Sequence, residues 1–220
     1  MIELTEEFLL DKCGPYIRTL QKVYEKTGRK APLLRGSVGM PLEQPLKFQP
    51  RKQSMNTNPV IHEAANEWFK ETFGVAARTN TVFTTTRMEI AEDYGSPAYF
   101  VPIGKFSFYY SEKIDDMYHY INNRLLVKLI TGDKAITNNM RESLLKLVDE
   151  HGHKFITEFS KVNPLLLARY TREILEQANY KKNNIGAFVL KNEIMVHCSE
   201  FMLLPVGDRY EEFFEDIVFI

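Results

Sequence analysis

Strand-like apolar runs fall into two groups, an early one within residues 32–110 and a late one within residues 187–204, and the stretch of about 115–180 between them reads as helix. Strands that come in blocks, with helices before and between them, fold around a mainly antiparallel sheet rather than as alternating βαβ units. The expected fold class is therefore α+β, a mainly antiparallel β core with N-terminal helices and a helical insertion at about 115–180, taken as one domain over 1–220. A hydrophobic share of 44% in 220 residues is enough for such a core. Neither a GxGxxG nor a GxxxxGK[ST] phosphate loop occurs, so Rossmann and P-loop readings have no support.

Local signals divide the chain further. Thr5 is placed to cap a helix that opens with Glu6 and Glu7. Gly14-Pro15 predicts a break, with a second helix from Pro15 to Gly28. Residues 32–38 predict a strand, and 39–58, rich in Pro, Gln and Asn, predict a long loop. A helix is expected from Pro59 to Phe73 and a strand over 81–85. Thr86-Arg87-Met88-Glu89 has the form of a capping box, so a helix should begin there and end by Tyr94-Gly95. Strands are expected at 98–103 and 105–110, split by Gly104, and at 187–190, 193–197 and 201–204; the middle region reads as three helical pieces, the last starting at Asn163-Pro164.

Three features carry chemistry. Arg35 interrupts the apolar run Leu33-Leu34-Arg35-Gly36. A guanidinium in such a place pairs with a buried carboxylate, points to water from an edge strand, or presents its planar fork to phosphate or ribose oxygens. Phe83-Thr84-Thr85-Thr86 ends a strand in three hydroxyls; Thr86 suits a helix cap, and Thr84 and Thr85 are available as donors into a pocket. Tyr94 fits a core, or a stack against a flat ring. Glu193 opens the apolar run Ile194-Met195-Val196, where packing needs no carboxylate, although a solvated turn residue fits there too.

In chain order these residues resemble the ADP-ribosyltransferase superfamily, in its Arg–Ser/Thr–Glu branch. Leu33-Leu34-Arg35-Gly36 is similar to its first motif and Val82-Phe83-Thr84-Thr85-Thr86 to its second, with threonines in place of Ser-Thr-Ser. Ala91 and Tyr94 match the small residue and aromatic that follow. Lys191-Asn192-Glu193-Ile194-Met195-Val196 is similar to the third motif, with Phe201 downstream. The set also resembles uncharacterised members encoded by bacteriophages, which would place the chain in a host cytoplasm. The resemblance covers roughly 32–110 and 185–206. It implies an NAD-dependent mono-ADP-ribosyltransferase that moves ADP-ribose to a macromolecular acceptor, protein or nucleic acid, and releases nicotinamide. A catalytically inactive binding protein of the same fold and an NAD glycohydrolase are the alternatives. In the implied roles Arg35, Gly36, Thr84, Thr85 and Tyr94 bind NAD, the substrate. Glu193, with Arg35 and Thr84, is catalytic, Glu200 is the competing glutamate, and no metal is needed. Arg51, His62, Asn66 and Arg78 are further candidates for the cleft. Lys191 stands two before Glu193, where arginine-modifying members keep Glu or Gln. The implied acceptor is then a nucleic acid or a side chain other than arginine, with Lys52, Arg87 and Lys181-Lys182 adding local positive charge.

The remaining composition narrows the setting. A formal net charge of -1 advertises no nucleic-acid or membrane surface overall. Cys13 and Cys198 are far apart in sequence and form no metal-binding pattern, so free thiols in a reducing compartment are expected. The first residues, MIELTEEFLLDK, lack a signal peptide's basic start and apolar run. No apolar run reaches the ~20 residues that cross a bilayer, so a cytoplasmic protein without a membrane partner is expected.

Overall fold

The computed structural model describes residues 4–51, 57–131, 137–151, 155–190 and 192–219. Lys52 and Lys191 lie outside the described residues, and so does the acceptor reading that rests on Lys191. The chain divides into two compact units, each built from separate stretches. The first holds Met1–Pro50, Asn80–Glu112 and Tyr180–Ile220, and the second Arg51–Thr79 and Lys113–Asn179.

The first unit opens with α1 (Glu6–Thr27), capped by the Thr5 hydroxyl, which accepts from Phe8 N–H, and closed at Gly28. The predicted break at Gly14-Pro15 does not occur: Pro15 lies inside one continuous helix. A proline in a helix interior costs about 3 kcal/mol. Leu9, Cys13, Tyr16, Ile17, Leu20 and Val23 share one buried face that runs straight through the proline. Each large apolar side chain buried contributes about 1.5–3 kcal/mol, so keeping the face continuous wins.

The sheet combines β1 (Leu34–Ser37), β2 (Leu46–Lys47), β3 (Val82–Thr84), β4 (Ser96–Ser111), β5 (Tyr180–Lys182) and β6 (Ile194–Pro205). Its order is β1-β4-β6-β2, with β3 also on β6 and β5 also on β4, and every pairing is antiparallel. β4 and β6 form its spine. The two strands predicted on either side of Gly104 are one strand, β4, with a register shift between Ile103 and Phe106. Gly104 takes a φ of 69°, so it absorbs the extra residue as a bulge and the ladder resumes beyond it. The two late strands predicted over 193–204 are likewise one, β6.

β1 borders β4 at Ser96–Tyr99, whereas β3 borders β6 at Ile194–Val196, the other end and the other edge of the spine. Yet Leu34 and Thr85 exchange both backbone hydrogen bonds, at 2.7 and 3.0 Å. Strands on opposite edges can meet only if the spine coils over between them, as strongly twisted sheets do. The apolar core of this unit includes Tyr16 edge-on to Phe106 (5.9 Å) and Phe100 against Phe201 (4.9 Å).

Other local differences have local causes. The 39–58 loop contributes β2, and Glu43 and Phe48 donate backbone N–H groups to Leu203 and Ser199 of β6; a two-residue strand has no periodicity to reveal it. The strand predicted at 187–190 is a 3₁₀ turn over Ile185–Phe188, because the Asn184 side chain accepts from Gly186 N–H at 2.9 Å and starts a turn instead.

In the second unit, α2 (Pro59–Phe73) has the predicted bounds, with Asn58 as its cap. The short α3 (Ala77–Asn80) follows; α4 (Met88–Glu92) belongs to the first unit. Among the described residues, the middle region holds four helices where three were expected: α5 (Met117–Thr131), α6 (Asn138–His151), α7 (Phe155–Val162) and a helix over Pro164–Gln177 capped by Asn163. The Pro164–Gln177 helix packs on α2, to which Arg172 is tied through Glu71. The C-terminal α8 spans Asp208–Phe213, ahead of the π-turn over Phe214–Val218, and adds Tyr210, Phe213 and Phe214 to the core of the first unit. Among the described residues, no helix is long and apolar enough to cross a membrane.

Candidate active site

Residues 35, 84 and 193 are remote in sequence, and the β-ladders of the first unit bring them together. Thr84 pairs with Ile194 in the β3–β6 register, so Glu193 comes immediately before that pair. The Leu34–Thr85 bridge then sets β1 on the other side of the threonine segment. Arg35 follows Leu34, and its Nη1 donates to the Phe83 carbonyl at 2.9 Å. With neighbouring strands about 4.8 Å apart, the backbones of Arg35 and Glu193 stand two spacings apart, roughly 10 Å.

Glu193 is half-buried, and the main chain is fastened on both sides of it. After it, the buried Thr84 hydroxyl donates to the Ile194 carbonyl at 2.9 Å. Before it, the buried Asn192 amide donates to the Ser111 carbonyl at 2.6 Å. Thr84 thus acts on the backbone beside the glutamate, where the sequence reading expected its hydroxyl in the pocket. Thr85 is also buried and accepts from Arg87 N–H at 3.1 Å. Thr86 donates to Leu190 O at 3.3 Å, which takes it away from the predicted capping box; α4 starts one residue later, without a side-chain cap. Asn192 was missed in the sequence because an asparagine before a strand looks like any turn residue. Asn192→Ala should lower stability by about 1–3 kcal/mol through loss of a buried hydrogen bond. Asn192→Asp should do no better, because a carboxylate facing a carbonyl is repelled. Denaturant unfolding of both variants reads this out, and wild-type stability in either would refute the clamp.

Gly36 and Tyr94 form the next part of the site. A Cβ on Gly36 would lie 2.3 Å from Ala91 O and 2.8 Å from Tyr94 Cβ, so only glycine lets the end of α4 rest on β1. The Tyr94 residue that this contact holds beside the Arg35 strand is 61% exposed.

Glu200 is placed elsewhere. It pairs with Lys47 and with Ile103, six residues beyond Ile194, about 20 Å of extended strand. Phe201 beside it is a core residue. His197, also on β6, is half-buried, and burial together with the Lys182 charge holds its imidazole below the usual range.

Two of the expected positive residues are paired with carboxylates. Arg87 pairs with Glu89 at 2.8 Å, Lys181 pairs with Glu112 at 2.5 Å, and Lys182 lies 5.7 Å from the Tyr109 ring centre. Arg51, His62, Asn66 and Arg78 belong to the second unit, where they gather around Thr79.

An arginine and a glutamate whose backbones stand roughly 10 Å apart, with a glycine and an exposed tyrosine at one side, can hold an anionic sugar derivative. They can also set a negative charge against a positive centre that forms on the sugar. Compared with models of protein families, with curated proteins and with solved structures, the chain matches none.

Proposed function

We propose that the chain is an NAD-dependent mono-ADP-ribosyltransferase that transfers ADP-ribose to a macromolecular acceptor, on a curved antiparallel core of the ADP-ribosyltransferase kind. The observation that carries the proposal is the β1–β3–β6 arrangement, in which the arginine, threonine and glutamate segments that resemble three family motifs become neighbours. Chance similarity of three short motifs gives no reason for such convergence.

In this reading Arg35 holds the phosphates and ribose through its planar fork. Tyr94 packs against the nicotinamide. The glycosidic bond breaks, nicotinamide leaves with the bonding electron pair, and positive charge develops on the ribose C1′. Glu193 faces that charge. A carboxylate fixed in advance on a clamped backbone lowers the barrier because no reorganisation is needed when the charge appears. The nucleophile of the acceptor then bonds to C1′ and gives up its proton.

The test is nicotinamide release from labelled NAD, with and without cell lysate. Release that depends on lysate, with label moving onto macromolecules, supports transfer. Release without any acceptor, and no labelled product, would replace transfer by hydrolysis. No release under either condition would refute an enzyme. Nuclease and protease treatment of the labelled product identifies the acceptor class.

Arg35→Lys should weaken NAD binding about tenfold and leave the melting temperature nearly unchanged, since lysine keeps the charge but loses the fork. Calorimetric titration decides it. Unchanged affinity with a large fall in melting temperature would make Arg35 a structural residue.

A further inference from the structure

One face of the first unit's sheet carries a cluster that the transferase reading does not use. Phe106, Phe108, Val196 and Cys198 turn to the apolar core. Side chains alternate along a strand, so Ser107, Tyr109, Met195 and His197 stand on the other face. Ser107 is directly opposite His197 in the β4–β6 register. Tyr109 is directly opposite Met195 on one side and Lys182 of β5 on the other. Directly opposed residues have their Cβ atoms about 4.5–5.5 Å apart, so the serine hydroxyl and the imidazole are neighbours. The Ser107 and Tyr109 hydroxyls are hydrogen-bonded at 3.3 Å, and Lys182 Nζ lies 5.7 Å from the Tyr109 ring centre. Register and contacts thus join side chains from three strands.

The packing of the sheet needs neither an imidazole nor an ammonium group at this place. Among the described residues, neither ring nitrogen of His197 has a hydrogen-bond partner. Lys182 has no carboxylate partner among them either, whereas Lys181 beside it is tied to Glu112. Ser107 and His197 are half-buried and Lys182 is exposed, so their polar atoms are reachable, while Tyr109 and Met195 are fully buried. Burial first, then the Lys182 charge, keeps the imidazole neutral near pH 7. In that form it offers one N–H donor and adds no second cation beside Lys182. The cluster therefore presents one ammonium, one imidazole N–H and hydroxyl groups on a single face.

We infer that Ser107, His197 and Lys182, set around Tyr109, form a binding site for a phosphate group. A phosphate presents its oxygens in a tetrahedral arrangement, which suits donors that approach from three strands; a carboxylate has only two oxygens, in one plane. Lys182 supplies a point charge on a flexible stem, and Ser107 and His197 supply donors placed by the register. His197 is four residues beyond Glu193, about 13 Å of extended strand, so the site is separate from the Arg35–Glu193 pair. The phosphate can come from NAD or from the backbone of a nucleic acid. The inference does not depend on the transferase reading, because phosphate binding is measurable in a chain without activity.

The experiment titrates the full chain with inorganic pyrophosphate at low salt by calorimetry, then with NAD and with a single-stranded oligonucleotide. Saturable pyrophosphate binding is expected for the wild type. Lys182→Gln should weaken it about tenfold and His197→Gln about fivefold, with melting temperatures near wild type. Lys182 is exposed, so its variant keeps the test open even if His197→Gln does not fold. Lys22→Gln, an equal change of charge at an exposed position on α1, should bind pyrophosphate as the wild type does. If Lys182→Gln weakens oligonucleotide binding and spares NAD, the source is a nucleic acid; the reverse assigns the phosphate to NAD, and weakening of both assigns a site that takes either. A wild-type chain that binds no pyrophosphate, a folded Lys182→Gln that binds it as the wild type does, or an equal loss in Lys22→Gln would overturn the site.

Discussion

Glu193→Gln should lower nicotinamide release by at least ~100-fold and leave the melting temperature nearly unchanged. The amide keeps the size of the carboxylate and removes only its charge, which the proposed mechanism uses when the glycosidic bond breaks. A preorganised electrostatic contact is worth about 2.7–4 kcal/mol in the transition state, which sets the scale of the loss. The fold should survive because the backbone on both sides of Glu193 is held by its neighbours, Asn192 on Ser111 O and Thr84 on Ile194 O. Glu200→Gln is the matched control. Its position against Lys47 and Ile103 takes it far along β6, so its turnover should stay within a few-fold of wild type. A fully active Glu193→Gln would remove the glutamate from the mechanism, and an inactive Glu200→Gln with normal Glu193→Gln turnover would reverse the assignment.

The mixed character of the fold and its antiparallel sheet could be read from the chain because they rest on blocks of apolar residues. α2 was legible to the residue, since Asn58-Pro59 and Gly74 mark its ends in the side chains themselves. Misreadings arose where local chemistry met a tertiary demand. Pro15 signals a break, and the buried face from Leu9 to Val23 overrides it. Thr86 has the form of a cap, and Leu190 O takes its hydroxyl. Gly104 looks like a strand boundary, and it is a bulge inside one long strand. For the site, the sequence pointed to Arg35, Thr84 and Glu193 by residue type and order. It did not show that the threonine hydroxyls bond to the main chain, or that Asn192 serves as a clamp. Those facts depend on which carbonyl lies opposite each side chain, and register across strands 110 residues apart is not written in any local pattern.

Gly36→Ala should produce one of the largest stability losses of any single methyl addition in the first unit. The new Cβ would lie 2.3 Å from Ala91 O and 2.6 Å from the Tyr94 carbonyl carbon, both backbone atoms that cannot rotate away. An ordinary C···O contact is about 3.3–3.6 Å, so the end of α4 must move by about 1 Å. Overpacking of this kind costs about 1–3 kcal/mol and occasionally more, and a backbone obstacle belongs at the upper end. Against that, alanine restricts the unfolded chain and returns about 0.4–1 kcal/mol. The balance is a loss of about 2 kcal/mol, roughly 4–8 °C in melting temperature for a chain of this size. The consequence for the site is separate from the loss of stability. Displacing Ala91 and Tyr94 moves the exposed ring away from the Arg35 strand, so NAD affinity should fall even at temperatures where the variant is fully folded. Thermal unfolding and calorimetric titration of Gly36→Ala at low temperature measure the two effects independently. Wild-type melting would mean that α4 does not rest on β1, and wild-type NAD affinity in a destabilised variant would remove Tyr94 from the binding site.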